Sequence, residues 1–157
     1  MTQDTPVHSQ LDNIDRRILA ILEREGRMPV TTLAAEVGLS KTPCQTRIRR
    51  LEAEGFILGY QAILAHDKLD RAHVAFVEVK LAQTTARALA AFNAAAVAVP
   101  AIEQCHMIAG GFDYLLKVRT RDIATYRRVL AEEIAALPHV AQTSTYVSME
   151  AVKDRGL

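Results

Sequence analysis

Tryptophan is absent from this 157-residue chain, and phenylalanine and tyrosine together supply only 5% of it. Any core must therefore be largely aliphatic, and apolar residues do make up 50% of the sequence. Cysteine occurs twice, as Cys44 and Cys105, far apart and in unlike contexts, which excludes a disulfide framework or a zinc knuckle. The composition excludes disorder and collagen, with only five prolines and seven glycines. No apolar run approaches the roughly 18 residues of a membrane span. The opening MTQDTPVHSQLDN lacks the basic and then apolar regions of a secretion signal. The expected address is the cytoplasm, with no membrane partner. The length allows one or two domains with a real core, and is too short for a barrel enzyme.

An excess of charge is missing too. The net charge is +1, so any attraction to nucleic acid must be local. Residues 1–60 hold eight basic and eight acidic side chains, and residues 61–157 hold eleven and ten. Between Ser40 and Leu51, however, Lys41, Arg47, Arg49 and Arg50 stand without a single acid.

The first dozen residues read as a loose polar arm. Asp12 then suits an N-cap, with Asp15 three positions on, and Ile14, Ile18, Ile21 and Leu22 form a helical apolar stripe that Gly26 stops. A second helix is expected in VTTLAAEVG, with Leu33, Ala34 and Val37 inward and Gly38 as its left-handed terminator. Ser40 is placed to cap a third helix with Pro43 in its first turn and Cys44, Ile48 and Leu51 on its buried stripe; Gly55 ends it. FILGYQAIL is β-rich and reads as a small wing or connecting strand, and HDKLDR as a joint. Residues 1–61 and 62–157 are thus expected to be separate domains.

Beyond the joint the expected order is βαββαβ. HVAFVEVKL alternates with period two, and Thr84 or Thr85 caps a helix carrying Leu89, Phe92 and Ala96 that Pro100 terminates. IEQCHMIA, a Gly-Gly turn and YLLKVRT follow; Asp122 then caps a helix bearing Ile123, Tyr126, Val129, Leu130, Ile134 and Leu137, and TSTYVSME is the last strand. This α+β pattern is the split, ferredoxin-like arrangement, four antiparallel strands covered on one face by two helices. The bare face also carries apolar residues and is expected to be buried by another copy of the chain.

Two constellations carry chemistry. Small residues (Ala34, Ala35) at the crossing and a Gly-containing turn are what a helix-turn-helix requires. On the third helix, Thr42, Thr46 and Arg49 lie opposite the buried stripe, Gln45 and Arg50 flank them, and Lys41 and Arg47 sit nearer the core edge. Such a face combines base-edge readers with cations for phosphates. On charge alone a solvated helix face is the simpler reading; the LAAEVGLS turn before a capped basic helix reverses it. In the second constellation, CHMIAGGFDYLLKV, glycine exposes backbone N–H groups to a carboxylate, and Asp113 could receive an ammonium. Thr143, Ser144 and Thr145 add hydroxyls. Taken alone, this is more often a plain hairpin turn with Asp113 as its cap. Cys105 and His106 point to opposite faces of a strand and lack a third ligand, so a packed histidine is the simpler account than a metal or nucleophilic pair. Glu132 and Glu133 lie on a helix exterior, Cys44 is a small core residue, and neither a catalytic group nor a cofactor is indicated.

The assembled residues resemble the Lrp/AsnC family of bacterial and archaeal transcription regulators. The resemblance runs from about Leu11 to Lys153, in LDNIDRRILAILEREGRM, LAAEVGLSKTPCQTRIRRLEAEGFILGY, AGGFDYLLKVRTRD and TSTYVSMEAVK. It implies a winged helix-turn-helix joined by a hinge strand to a βαββαβ (RAM-type) sensing domain. It also implies double-stranded DNA as partner, and homodimers that assemble into tetramers, octamers or hexadecamers. The implied effector is a small amino acid bound between subunits, at Met107, Ala109, Gly110, Asp113 and Tyr114, with Thr143 and Thr145 from a neighbouring chain. The likeness is greatest to the leucine-responsive branch and to its subgroup that activates proline-utilisation genes. Gln45-Thr46 departs from the Leu-Glu or Leu-Arg pair of that helix, so an operator does not transfer. The expected DNA contacts are Lys41, Thr42, Gln45, Thr46, Arg47, Arg49 and Arg50. Two other readings compete: a DNA-organising protein of the same fold without an effector, and a small enzyme using Cys105, His106 or Asp113.

Overall fold

A computed structural model of the chain describes residues 11–153; the arm expected over the first dozen residues lies, up to residue 10, outside them. The chain divides between Ala62 and Ile63 into two compact units.

The first unit is three helices, α1 (Asn13–Arg24), α2 (Val30–Val37) and α3 (Lys41–Ala53). Helix α1 begins with a capping box: Asp12 Oδ1 accepts from the Asp15 amide at 2.8 Å, and Asp15 Oδ2 accepts from the Asp12 amide at 3.2 Å. Gly38 closes α2 at φ +75°, and its amide reaches the Ala34 and Ala35 carbonyls. Ser40 occupies the N-cap position of α3 but makes no side-chain capping bond. Counting from that cap, the third helical residue is Pro43, which has no N–H to offer it. Ile18, Leu33, Cys44 and Leu51 are fully buried at the centre; each of the large aliphatic side chains among them contributes about 1.5–3 kcal/mol by leaving water.

Phe56 and Ile57 fold back on the Leu51 carbonyl and pack against this core. The stretch expected to be a wing or connecting strand forms no strand within this chain: residues 58–65 have no ladder partner, and Leu58 is 95% exposed. A strand needs a neighbour for its backbone, whatever its side-chain propensity.

The second unit runs β1 (His73–Leu81), α4 (Ala86–Val97), β2 (Ile102–Met107), β3 (Tyr114–Thr120), α5 (Ile123–Val129) and β4 (Val140–Val147). The strands are antiparallel in the order β2-β3-β1-β4. Thr85 and Asp122 cap α4 and α5 through side-chain oxygens. Ala75, Val77, Val79 and Leu116 turn toward the helices, where Phe92 meets Tyr114 with ring centroids 4.3 Å apart. Helix α5 is shorter than its apolar stripe implied, because the chain relaxes into a π turn over Leu130–Ile134, and Ile123 is 51% exposed rather than buried. His106 is exposed, not packed, since it lies on the sheet face opposite the helices, opposite Leu115.

That open face carries Val74, Phe76 and Glu78 of β1, with Phe76 paired to Lys117 on one side and Tyr146 on the other. Lys117 and Arg119 lie on it yet are only 9% and 7% exposed. Arg119 Nε donates to Glu103 Oε1 at 2.6 Å, and Lys117 Nζ stands 3.8 Å from Glu103 Oε2. Beside them is a cavity of about 620 Å³ lined by Val74, Phe76, Gln104 and the segment 148–153.

Candidate nucleic-acid interface and effector site

Helix α3 presents the expected face, with one alteration that the linear sequence conceals. Lys41, Thr42, Thr46 and Arg49 are exposed, and among the described residues no carboxylate pairs with Lys41 or Arg49. The Thr46 hydroxyl donates to the Thr42 carbonyl at 3.1 Å, which leaves its oxygen lone pairs and methyl group turned outward. Gln45 is half-buried, in a groove shared with Leu22, Met28 and Tyr60. The Tyr60 hydroxyl donates to Glu52 at 3.0 Å; burial first and that carboxylate second push the phenol up to about 12.

Arg47 and Arg50 behave differently. Arg47 Nη1 donates to Asp12 Oδ2 at 2.6 Å and to Asp15 Oδ1 at 2.8 Å, while Arg50 Nη2 donates to Asp15 Oδ2. Asp15 is 1% exposed. Hydrogen bonds donated to Asp15 and then to Asp12 hold the Arg47 guanidinium above its ordinary range. Asp12 is held below the usual carboxylate range, first by the Asp15 amide and then by Arg47. The stretch 40–51 contains no acid, but folding brings two from α1 against it. Asp12 even shares an open groove with Thr42, Thr46 and Arg47. Arg47 and Arg50, both expected to contact DNA, are thus ion-paired with acids of α1 in this chain. Asp12 and Asp15 both cap α1 and accept from these guanidiniums, and only the first role is visible in the local sequence.

The Gly-Gly turn is stapled from within. The Ile108 amide donates to the Asp113 carbonyl at 2.8 Å, the Asp113 amide to Val79 O at 2.9 Å, and the Leu81 amide to Asp113 Oδ2 at 2.7 Å. Lys80 Nζ lies 3.6 Å from Asp113 Oδ1. An incoming ammonium would therefore share this carboxylate with Lys80. Met107, Ala109 and Gly110 are exposed around the turn. Tyr114 is not: its side chain is 1% exposed and belongs to the core. Thr143 is half-buried, opposite Val79. Thr145 turns toward α5 and hydrogen-bonds the Tyr126 hydroxyl at 2.5 Å. Sequence reasoning overlooked a small cavity of about 250 Å³ on the other face, where Gly111 and Phe112 meet Glu78, Lys80, Gln142 and Ser144. Strand alternation places Glu78 and Lys80 together, but which turn they approach depends on the register.

Among the described residues no group of three His, Cys, Asp or Glu side chains could hold a metal ion, and no helix is long and apolar enough to cross a membrane. Cys44 and Cys105 are free thiols pushed up by burial, the opposite of an activated nucleophile.

A tri-helical unit with an exposed basic third helix, followed by a βαββαβ sheet, defines a helix-turn-helix transcription regulator with a ligand-binding domain. Comparison with known proteins agrees. Residues 11–52 match the AsnC-type helix-turn-helix domain, and residues 74–157 match the Lrp/AsnC ligand binding domain. The chain belongs to the Lrp/AsnC family of transcriptional regulators. It is 56% identical, over 94% of both chains, to a proline dehydrogenase transcriptional activator of Rhizobium radiobacter. It is 46% identical to the leucine-responsive regulatory protein of Escherichia coli K12, over 91% of this chain and 87% of that one. A crystal structure of an AsnC family regulator from Agrobacterium tumefaciens superposes with a TM-score of 0.86 at 33% identity, covering 92% of this chain and 94% of the other. A Neisseria meningitidis regulator solved as a complex with L-Met gives the same TM-score at 26% identity, covering 94% and 96%. Like these proteins it is a regulator and not an enzyme.

Proposed function

We propose that the protein is a sequence-specific activator of proline catabolism, which reads DNA with paired copies of α3 and responds to proline bound between subunits. The observation that carries the DNA-reading half is the exposed row Lys41, Thr42, Thr46 and Arg49, whose cations no carboxylate among the described residues neutralises. Arg and Thr side chains suit guanine edges and thymine methyls, and lysine suits phosphate. One helix makes too few contacts for specificity, so a second copy supplies the other half-site about one helical turn away. The open sheet face, with Phe76 and Tyr146 exposed, is where that copy packs. Residues 1–61 then serve as the DNA-binding domain and residues 62–157 as the effector and assembly domain.

The effector assignment draws on the proline dehydrogenase activators of Rhizobium radiobacter and Rhodobacter capsulatus, 56% and 55% identical to this chain. The exposed Met107, Ala109 and Gly110 provide the apolar rim and backbone donors, Asp113 holds the turn in shape beside Lys80, and Thr143 of a neighbouring chain closes the site. Proline acts only through its differential affinity for the assembly or DNA-bound states.

A mobility-shift titration on the promoter of a proline dehydrogenase gene, with and without proline, tests this reading. The expected result is binding that a scrambled fragment does not reproduce, with a midpoint that proline moves and alanine does not. Proline at a hundred times its Kd should also raise the melting temperature by roughly 5–10 °C. Specific DNA binding with no response to any of the twenty amino acids would overturn the effector assignment and favour a DNA-organising role.

A further inference from the structure

We propose that Asp15 is a positioning residue for DNA reading: it neutralises Arg47 and Arg50 and holds them against α1, leaving recognition to Lys41, Thr42, Thr46 and Arg49. The proposal rests on the DNA-reading role of α3 given above. Asp15 comes from the first turn of α1, 1% exposed, and both its oxygens are engaged. Oδ1 accepts from Arg47 at 2.8 Å; Oδ2 accepts from Arg50 and, at 3.2 Å, from the Asp12 amide. Asp12 adds a second acceptor for Arg47 at 2.6 Å. Two carboxylates thus meet two guanidiniums, and the cluster carries no net charge. Among the described residues the Arg50 Nε atom is buried without a hydrogen-bond partner, so it is the Nη2 bond to Asp15 that holds this half-exposed side chain against α1. The capping box that starts α1 is also the mount that fixes the orientation of α3.

Physical consequences follow for affinity and for specificity. An arginine released from a carboxylate and lying beside the duplex adds a sequence-independent phosphate contact, steepening log K against log salt by about 0.9 for each contact. Neutralising two of the three arginines of α3 therefore suppresses binding to random DNA and leaves the base readers to discriminate. Holding both at one buried acid also ties the rotation of α3 to α1, which sets which edges its outer residues meet.

The test is the salt dependence of operator and random-DNA binding for the full-length chain and for Asp15→Asn, which keeps an acceptor for the capping bond but loses the charge. The expected result is a slope steeper by at least about 1 and an operator-to-random preference lower by about tenfold. A purely structural role would weaken both DNAs together at unchanged slope, and that result overturns the proposal. Should Asp15→Asn lack a native circular dichroism spectrum, Arg50→Gln decides. A wild-type slope supports neutralisation, and a slope flattened by about 0.9 per half-site shows Arg50 on a phosphate and overturns it. A wild-type chain that binds no DNA fails at the earlier step, the DNA-reading role itself.

Discussion

At the scale of single residues, charge matters less than whether a side chain already has a partner. Arg49 and Arg47 are two positions apart on one helix, yet Arg49 faces outward with no carboxylate partner among the described residues while Arg47 bridges Asp12 and Asp15. Arg49→Ala is expected to lower operator affinity by about 1–3 kcal/mol with a much smaller effect on random DNA. Equal operator titrations for the two proteins would refute its base-reading role. The caps impose a pH dependence of their own. Asp12 and Asp122 are both held below the usual carboxylate range, chiefly by backbone amides of the helices they cap. A carboxyl whose folded pKa lies below its unfolded one stabilises the fold above the unfolded value, near pH 4, and that contribution is lost as pH falls toward the folded value. Urea midpoints should therefore fall as pH drops below about 4. In Asp12→Ala the midpoint at pH 7 should start lower and the acid loss should be shallower; an equal acid slope in both proteins would remove Asp12 as its source.

At the scale of elements, the turns decide more than the helices do. Helices α1 to α3 follow from their apolar stripes, but their mutual placement depends on Gly38 at φ +75°, where nothing crowds an added Cβ. The penalty for a side chain there is purely conformational. Gly38→Ala should lower stability by about 1–2 kcal/mol, read as a lower urea midpoint at unchanged slope, and Gly38→Asn should cost less. Equal losses for Ala and Asn would point to a steric cause instead. The Gly110–Gly111 turn is of another kind. Its shape comes from Asp113, whose amide, carbonyl and carboxylate all bond to neighbouring backbone, so the residue that looks made for a ligand is also the one that builds the turn.

At the scale of the whole molecule, two stretches of surface have no partner among the described residues. The segment 58–65 is β-rich but unpaired, and the open sheet face exposes Phe76 and Tyr146 beside the buried Lys117 and Arg119. Placing a charge in that face should prevent a second sheet from packing on it. Phe76→Asp is expected to reduce the sedimentation mass to that of a monomer while preserving the circular dichroism spectrum; an unchanged mass would put the assembly surface elsewhere. Since paired half-sites need paired chains, the same variant should lose most of its operator affinity.

The sequence by itself determined what local physics controls. Periods of 3.6 and 2 gave the helices and strands, because a half-buried element must sort its side chains by face. Asp12, Asp122 and the Thr84–Thr85 pair marked helix starts because such side-chain oxygens satisfy otherwise unpaired amides, and the structure places the α4 cap on Thr85. The order βαββαβ followed, and with it the family resemblance. Only the tertiary structure decided which neighbours meet across long gaps in the chain. It set Asp12 and Asp15 against Arg47 and Arg50, Asp113 against the Leu81 amide, and Glu103 under Arg119. Short-range pattern encodes the face on which a residue lies, whereas the identity of an ion-pair partner depends on packing angle and register, which no local stretch of sequence contains.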